Sequence, residues 1–175
     1  MLLVEGLEHM GSDDAGANAT TRAIERIRRE LGELVESIEE GKGYISVRVP
    51  SRKLREAAVK LKNIGFDHVK SLTVIDYKSK GVFEVMYMAS SYLNEDLSRV
   101  IVALTIDVDR NNPRLPSLSD IWTSVEFQER EVYEFFGIEF MGHPDLRPLL
   151  LVPDVADLRP LTKDFIVKEE PIIRS

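Results

Sequence analysis

Three β-rich runs restrict this chain more than any other feature: FDHVKSLTVID (66–76), GVFEVMYMAS (81–90) and RVIVALTIDV (99–108). Their β-branched and aromatic residues make each read as a strand. The first two are joined through YKSKG (77–81), a polar turn with a glycine that suits a hairpin. Upstream, YISVRV (Tyr44–Val49) alternates like a strand and stops at Pro50. Ser51 can then cap a helix whose inner face is Leu54, Ala57, Ala58 and Leu61, with Gly65 as its exit. Ahead of these elements Ile24, Ile27, Leu31, Leu34 and Ile38 recur at steps of three and four. They predict an amphipathic helix from Thr21 that Gly41 and Gly43 end. Helix, strand, helix and a three-strand meander together specify an α+β fold. Its sheet is mostly antiparallel, its helices pack on one face, and a proline-interrupted tail extends from it.

A length of 175 residues suits one domain with appendages. Residues 1–20, rich in Gly, Asp, Ala and Asn, read as a flexible arm; 21–145 form the α+β domain; 146–175 form the tail. The formal net charge of −7 argues against nucleic acid or anionic lipid as a partner. With no cysteine, the chain can form no disulfide, thiolate nucleophile or cysteine-held zinc or iron–sulfur cluster. No apolar run approaches the roughly 20 residues that span a bilayer, and the N-terminus is acidic where a signal peptide is basic. A cytoplasmic location without a membrane span is therefore expected.

NNPRLP (111–116) interrupts the pattern, and two capping boxes follow, Ser117 with Asp120 and Thr123 with Glu126. The second opens a helix predicted from Val125 to Phe136, with Gly137 as its left-handed exit. Beyond Leu146, Pro148, Pro153, Pro160 and Pro171 forbid one long helix, yet LLLV and FIV are too apolar for a solvated tail. Such a tail needs a surface, either its own domain or another chain. Trp122 reads as a core anchor, and His9 and His68 as solitary surface or strand residues.

Most of the chemistry-bearing side chains fall in EREVYEFFGIEFMGHPDLRP (Glu129–Pro148). On the predicted helix Val125, Glu129, Val132 and Phe136 form one stripe, and Phe127, Glu131 and Phe135 a second. In a third, Arg130 stands a turn from Glu126 and Glu134 and can pair with either. Apolar side chains around most of the circumference predict burial on several sides. Glu129 and Glu131 then sit among apolar neighbours, where a carboxylate costs several kcal/mol unless paired. Arg147, Arg159, Lys163 and the ring nitrogens of His143 are candidate partners within the chain. Glu129, Glu131 and His143 could alternatively act as acid, base or metal ligands. No glycine-rich anion loop, nucleophile elbow or close histidine pair accompanies them.

Glu129-Arg130-Glu131, then after two residues Glu134, Phe135-Phe136, and further on His143, Arg147 and Leu149-Leu150 resemble the signature of the 30-kDa subunit of respiratory NADH dehydrogenase. That subunit belongs to complex I and is shared with related membrane-bound hydrogenases. PSLSDIW ahead of the helix, FGIEFMGHPDLR after it and LTKDF (Leu161–Phe165) extend the likeness over about residues 115–165. The resemblance implies a non-catalytic accessory subunit of the hydrophilic arm of an ion-translocating oxidoreductase. It would carry no cofactor. Iron–sulfur clusters and a nickel–iron or quinone site would belong to partner subunits. Its partner would be the large catalytic, hydrogenase-like subunit, and its place peripheral, on the cytoplasmic face of the membrane. Glu129, Arg130, Glu131, Glu134, His143, Asp145 and Arg147 would then lock helix, Gly-His-Pro turn and tail into one paired network, with Lys163 and Asp164 in the closing element. Phe127-Gln128 stand where the family often has tryptophan before Glu-Arg-Glu. Pro148 and Thr162 stand where it usually has arginine. These departures point to the hydrogenase or sulfur-reducing branch, with an NADH–quinone complex as the alternative. A free-standing enzyme or a soluble binding module is the rival of another class.

Overall fold

A computed structural model describes residues 11–152 and 157–166. Helix α1 (Gly11–Leu31) is followed by a 3₁₀ turn and by strands β1 (Ser37–Glu40) and β2 (Ile45–Arg48). Helix α2 (Leu54–Ile64) leads to β3 (His68–Tyr77), β4 (Val82–Ser90) and β5 (Val102–Asp109). Short strands β6 (Arg114–Pro116) and β7 (Glu139–Met141) flank helix α3 (Glu126–Phe136).

The five-stranded sheet has the order β1-β2-β5-β4-β3, and only the β2–β5 pair within it is parallel. Parallel neighbours need a long crossover, and α2 with the β3–β4 hairpin provides it. The expected α+β architecture with a mostly antiparallel sheet is therefore the observed one. Alternation decides the faces. Val47, Leu104, Tyr87 and Leu72 stand in register across the sheet, as do Ile106, Val85 and Val74. With Ile45, Val102, Phe83 and Val108 they meet Ala23 and Ile27 of α1, Ala57, Ala58 and Leu61 of α2, and Val125 and Val132 of α3 in one core. All three helices cover this face. On the other, Arg48 pairs with Glu84 and, at 2.7 Å, with Asp107, while Met86 and Met88 are half-buried. Trp122 is buried and donates its indole N–H to the Phe66 carbonyl at 2.8 Å, the core anchor its type suggests.

Several boundaries differ from those the sequence predicts. The first helix begins at Gly11, so residues 11–20 of the expected arm belong to α1, and residues 1–10 lie outside the described residues. It ends at Leu31 because Gly32 takes φ +51 and turns the chain. Leu34 and Ile38 stay in phase with the apolar stripe while leaving the helix: Leu34 lies in a 3₁₀ turn, and Ile38 pairs with Val47 on β1. Gly41 and Gly43 thus serve a hairpin, where the Gly41 N–H donates to the Tyr44 carbonyl at 2.8 Å. The opening of α2 has no side-chain cap from Ser51; Pro50 leads into a 3₁₀ turn instead. The meander and its turn, with Gly81 at φ +68, form as predicted. Edge strand β3 is shielded by side chains from the α3 region. The Val69 N–H donates to Ser124 Oγ at 3.0 Å, and the Leu72 N–H to Gln128 Oε1 at 2.6 Å.

One buried-side carboxylate fixes the loop after β4. Asp67 accepts the Tyr92 N–H (3.0 Å), the Leu93 N–H (2.9 Å) and the Ser91 hydroxyl (3.1 Å), beside His68 Nδ1 at 2.9 Å. The buried His68 ring stacks on Tyr92, centroids 3.4 Å apart. Burial pushes the Asp67 carboxyl up, but the donors from Tyr92, His68, Leu93 and Ser91 outweigh it and bring it to about 2. A depressed acid stabilises the fold above its usual value of 3.8 and loses that contribution as pH falls toward 2. Asp67→Asn is expected to lower stability by about 2 kcal/mol near neutral pH and to flatten the acid limb. Thermal melts of both proteins between neutral pH and about pH 3 check this; parallel acid limbs would refute it.

Candidate functional site

Helix α3 carries three kinds of side chain on three faces, and each meets a different surface. Its inward face is Val125, Glu129 and Val132, all buried. Glu129 is fully enclosed: Oε2 accepts the Ser117 hydroxyl at 2.6 Å, and Oε1 accepts the Leu118 N–H at 2.8 Å and the Tyr87 hydroxyl at 3.3 Å. Burial pushes this carboxyl up; Ser117, Leu118, the nearby His143 and Tyr87 act the other way. The Tyr87 phenol is pushed well up by burial and by the adjacent Glu129. None of the predicted basic partners touches Glu129, which is satisfied by neutral donors from the loop and the sheet.

That loop explains why neither capping box forms. Ser117 Oγ does accept the local Ser119 N–H at 3.1 Å while donating to Glu129, but Asp120 does not close the box and instead forms a two-pronged pair with Arg55 at 2.8 and 2.6 Å. Ser124 caps the edge of β3, and α3 enters through a 3₁₀ turn (Thr123–Val125) without a side-chain cap. Asp120 and Ser124 go to long-range partners, while Ser117 serves a local and a distant one together. The predicted exit holds, with Gly137 at φ +75 donating to the Tyr133 carbonyl.

The second face grips the chain that follows. Arg130 Nε donates to the Arg147 carbonyl at 3.0 Å and Nη2 to the Pro148 carbonyl at 3.2 Å, with Asp145 3.7 Å from Nη1. One turn on, the Glu134 carboxylate accepts the N–H groups of Leu150, at 3.0 and 3.1 Å, and Leu151. Arg130 and Glu134 are themselves buried. Arg130 is thus not an i,i+4 partner of Glu126 or Glu134; both charged groups hold main chain. The His143 ring joins the turn, since Nδ1 accepts the Asp145 N–H at 3.1 Å. Its proton therefore sits on Nε2, facing the Glu126 carbonyl at 2.9 Å. Asp145 pairs with Arg147 at 2.9 Å, and the Arg147 guanidinium holds its carboxyl below the usual range.

The third face overturns one expectation. Glu131 and Phe127 are exposed, and Glu131 has no hydrogen bond or ion pair among the described residues. The helix is enclosed by the core and the strap, but its 127–131 stripe faces out. Consequently Glu129, Glu131 and His143 do not converge on a common point, and the acid–base or metal arrangement they suggested is not assembled.

Lys163 and Asp164 belong to a separate cluster. The Lys163 N–H donates to Asp76 Oδ2 at 2.8 Å, and Asp164 bridges Arg110 at 2.6 Å and Lys78 at 2.5 Å. Arg110 Nε meets Asp76 Oδ1 at 2.8 Å, with Asp76 buried. Lys78 and Arg110 hold the Asp164 carboxyl below its usual range. The single network expected from the sequence therefore resolves into three: the Glu129 knot, the Arg130–Glu134 grip and the Asp76–Arg110–Asp164 latch. Sequence reasoning missed Asp76, Arg110, Lys78 and the Arg55–Asp120 pair. Strand parity carried a signal for the first, because Leu72, Val74 and Asp76 share the covered face.

The sequence matches the family model for the respiratory-chain NADH dehydrogenase 30 Kd subunit over residues 47–171. It is 38% identical over 135 residues to the NADH-quinone oxidoreductase C/D subunit of Phocaeicola vulgatus, covering 72% of this chain and 25% of that one. It therefore spans about a quarter of that longer relative. It is 35% identical over 159 residues to NADH-quinone oxidoreductase subunit 5 of Thermus thermophilus, covering 86% of this chain and 75% of that one. Among solved structures, the trypsin-resistant fragment of Nqo5 is similar at TM-score 0.61 and 32% identity, over 73% of this chain and 99% of that one. A chain of the membrane-bound sulfane sulfur reductase, an archaeal respiratory membrane complex, shares the fold at TM-score 0.73 and 24% identity, over 83% and 85%.

The Glu129 knot makes a graded prediction. Glu129→Ala strands three buried donors and is expected to cost about 3 kcal/mol, whereas Glu129→Gln keeps an acceptor and costs about 1 kcal/mol. Denaturant titration of both variants measures the order; equal losses would contradict it.

Proposed function

We propose, from the premise that this chain belongs to the respiratory-chain NADH dehydrogenase 30-kDa subunit family, that it is an accessory subunit of a complex I-related membrane oxidoreductase. Its work is mechanical: it braces the large catalytic subunit in the hydrophilic arm, and the iron–sulfur clusters and substrate site lie in neighbouring chains. It sits peripherally, on the cytoplasmic face. Among the described residues no helix is long and apolar enough to cross a membrane.

The observation that carries this reading is the grip of α3 on residues 147–151. Buried Arg130 and Glu134 hold this stretch by its carbonyls and N–H groups, which turns Leu149, Leu150 and Val152 outward, the last two more than half exposed. A segment fixed by its backbone with apolar side chains facing out presents the core of an interface. Similarity at 35–38% identity to proteins named for NADH–quinone oxidation favours a quinone-type complex. The membrane-bound [NiFe] hydrogenase or sulfur-reducing type is the second reading. Gln128, Pro148 and Thr162, which depart from the usual family residues, support it.

Native purification through a tag on this chain tests the reading, with subunits and cofactors identified in the recovered complex. A large hydrogenase-like chain and iron–sulfur clusters are expected to accompany it. Leu150→Asp is expected to leave the melting of the chain nearly unchanged while reducing recovered complex about tenfold, a loss of ~1.4 kcal/mol in association. Arg130→Ala, which frees the strap without touching the core, is expected to impair assembly more than folding. Recovery of either variant in complex at the wild-type level would count against the proposal.

A further inference from the structure

A cavity of about 670 Å³ opens between the tail segment 158–166 and the domain. Phe83, Phe136 and Phe165 form its aromatic walls. Two cations line it, and they differ. Arg110 is committed to Asp76 and Asp164 and lies 5.2 Å over the Phe83 ring. Arg159 makes no side-chain hydrogen bond or ion pair among the described residues. It is exposed, and its backbone is unusual. It is the one non-glycine residue there with positive φ, +49, directly before Pro160, a position that disfavours helical backbone of either hand. Its side chain lies so close over Gly137 that a Cβ there would stand 2.3 Å from Nε and 2.4 Å from Cζ. A strained backbone and an exposed, unspent guanidinium that lies over Gly137 meet at one opening.

We propose that this cavity receives a segment of a neighbouring subunit in which a carboxylate stands beside an aromatic or branched aliphatic side chain. The carboxylate would pair with both prongs of Arg159, and the apolar side chain would fill the space between the three phenylalanines. Charge complementarity selects the acid: Arg159 is the cation at the opening that no side chain among the described residues neutralises. The lip selects a protein segment over a small molecule. Leu158 and Ile166 stand at the mouth at 51% and 81% exposure. A ligand small enough to enter the cavity leaves them in water, whereas a chain segment covers them as it inserts. This inference rests on the subunit reading above and adds a second contact, distinct from the 149–152 row, with its own chemistry.

A photo-reactive benzoylphenylalanine placed at Ile166 in the native complex tests it. The expected result is an adduct with another subunit, at a peptide carrying Asp or Glu within a few residues of an aromatic or branched side chain. Arg159→Glu is expected to reduce that adduct at least tenfold while the complex is still recovered through the Leu150 contact, and Arg159→Lys to retain part of it. With the complex intact, an adduct confined to this chain, to a lipid or to a peptide without a carboxylate overturns this inference alone. Recovery of this chain free of other subunits overturns both readings.

Discussion

A carboxylate removed from water needs all of its donors in place at once, and Glu129 gathers them from separate parts of the chain. Ser117 and Leu118 come from the loop before α3, and Tyr87 from the middle of β4. Losing any one leaves a buried group unsatisfied, so the loop, the helix and the sheet must close together. With Glu129 fixed, the rotation of α3 about its axis is fixed as well. Residue 130 then points one position round toward the strap, and residue 134 follows it one turn on. The outward grip on residues 147–151 is thus a consequence of the inward knot.

The two anchors of the tail work by different chemistry. At 147–151 the domain holds main chain, which every residue type offers. At 163–164 it holds a specific acid through Arg110 and Lys78, with buried Asp76 catching the Lys163 N–H. The first anchor leaves side chains free to meet another surface; the second commits its own. Both anchors are places where the expected strap returns to its own domain; residues 153–156 and 167–175 lie outside the described residues.

Regular elements were legible where one physical requirement dominates. The strands follow from β-rich runs and from a sheet covered on one face, and the end of α3 follows from a glycine that can turn left-handed. What was not legible depended on competition between local and distant partners. Ser117, Thr123 and Ser51 have the chemistry of helix caps, yet the Ser117 hydroxyl finds a buried carboxylate twelve residues away. Gly41 could end a helix as readily as turn a hairpin, and β1 was lost to that ambiguity. For Glu131 the stripe position was right and the burial wrong, because apolar neighbours along a helix do not say how many of its sides are covered.

The grip also explains why one departure from the family pattern is harmless. Position 148, where arginine is usual, holds proline. Proline lacks an N–H but keeps its carbonyl, and Arg130 uses only the carbonyls of residues 147 and 148. The N–H groups that Glu134 requires belong to Leu150 and Leu151. A proline at 148 therefore removes nothing from the grip and narrows the conformations of the free tail, whereas one at 150 would leave Glu134 Oε2 buried without a donor, and one at 151 would take the second donor from Oε1. The fold thus asks this segment for backbone acceptors at 147 and 148 and backbone donors at 150 and 151. The side chains there are left to suit whichever surface they meet.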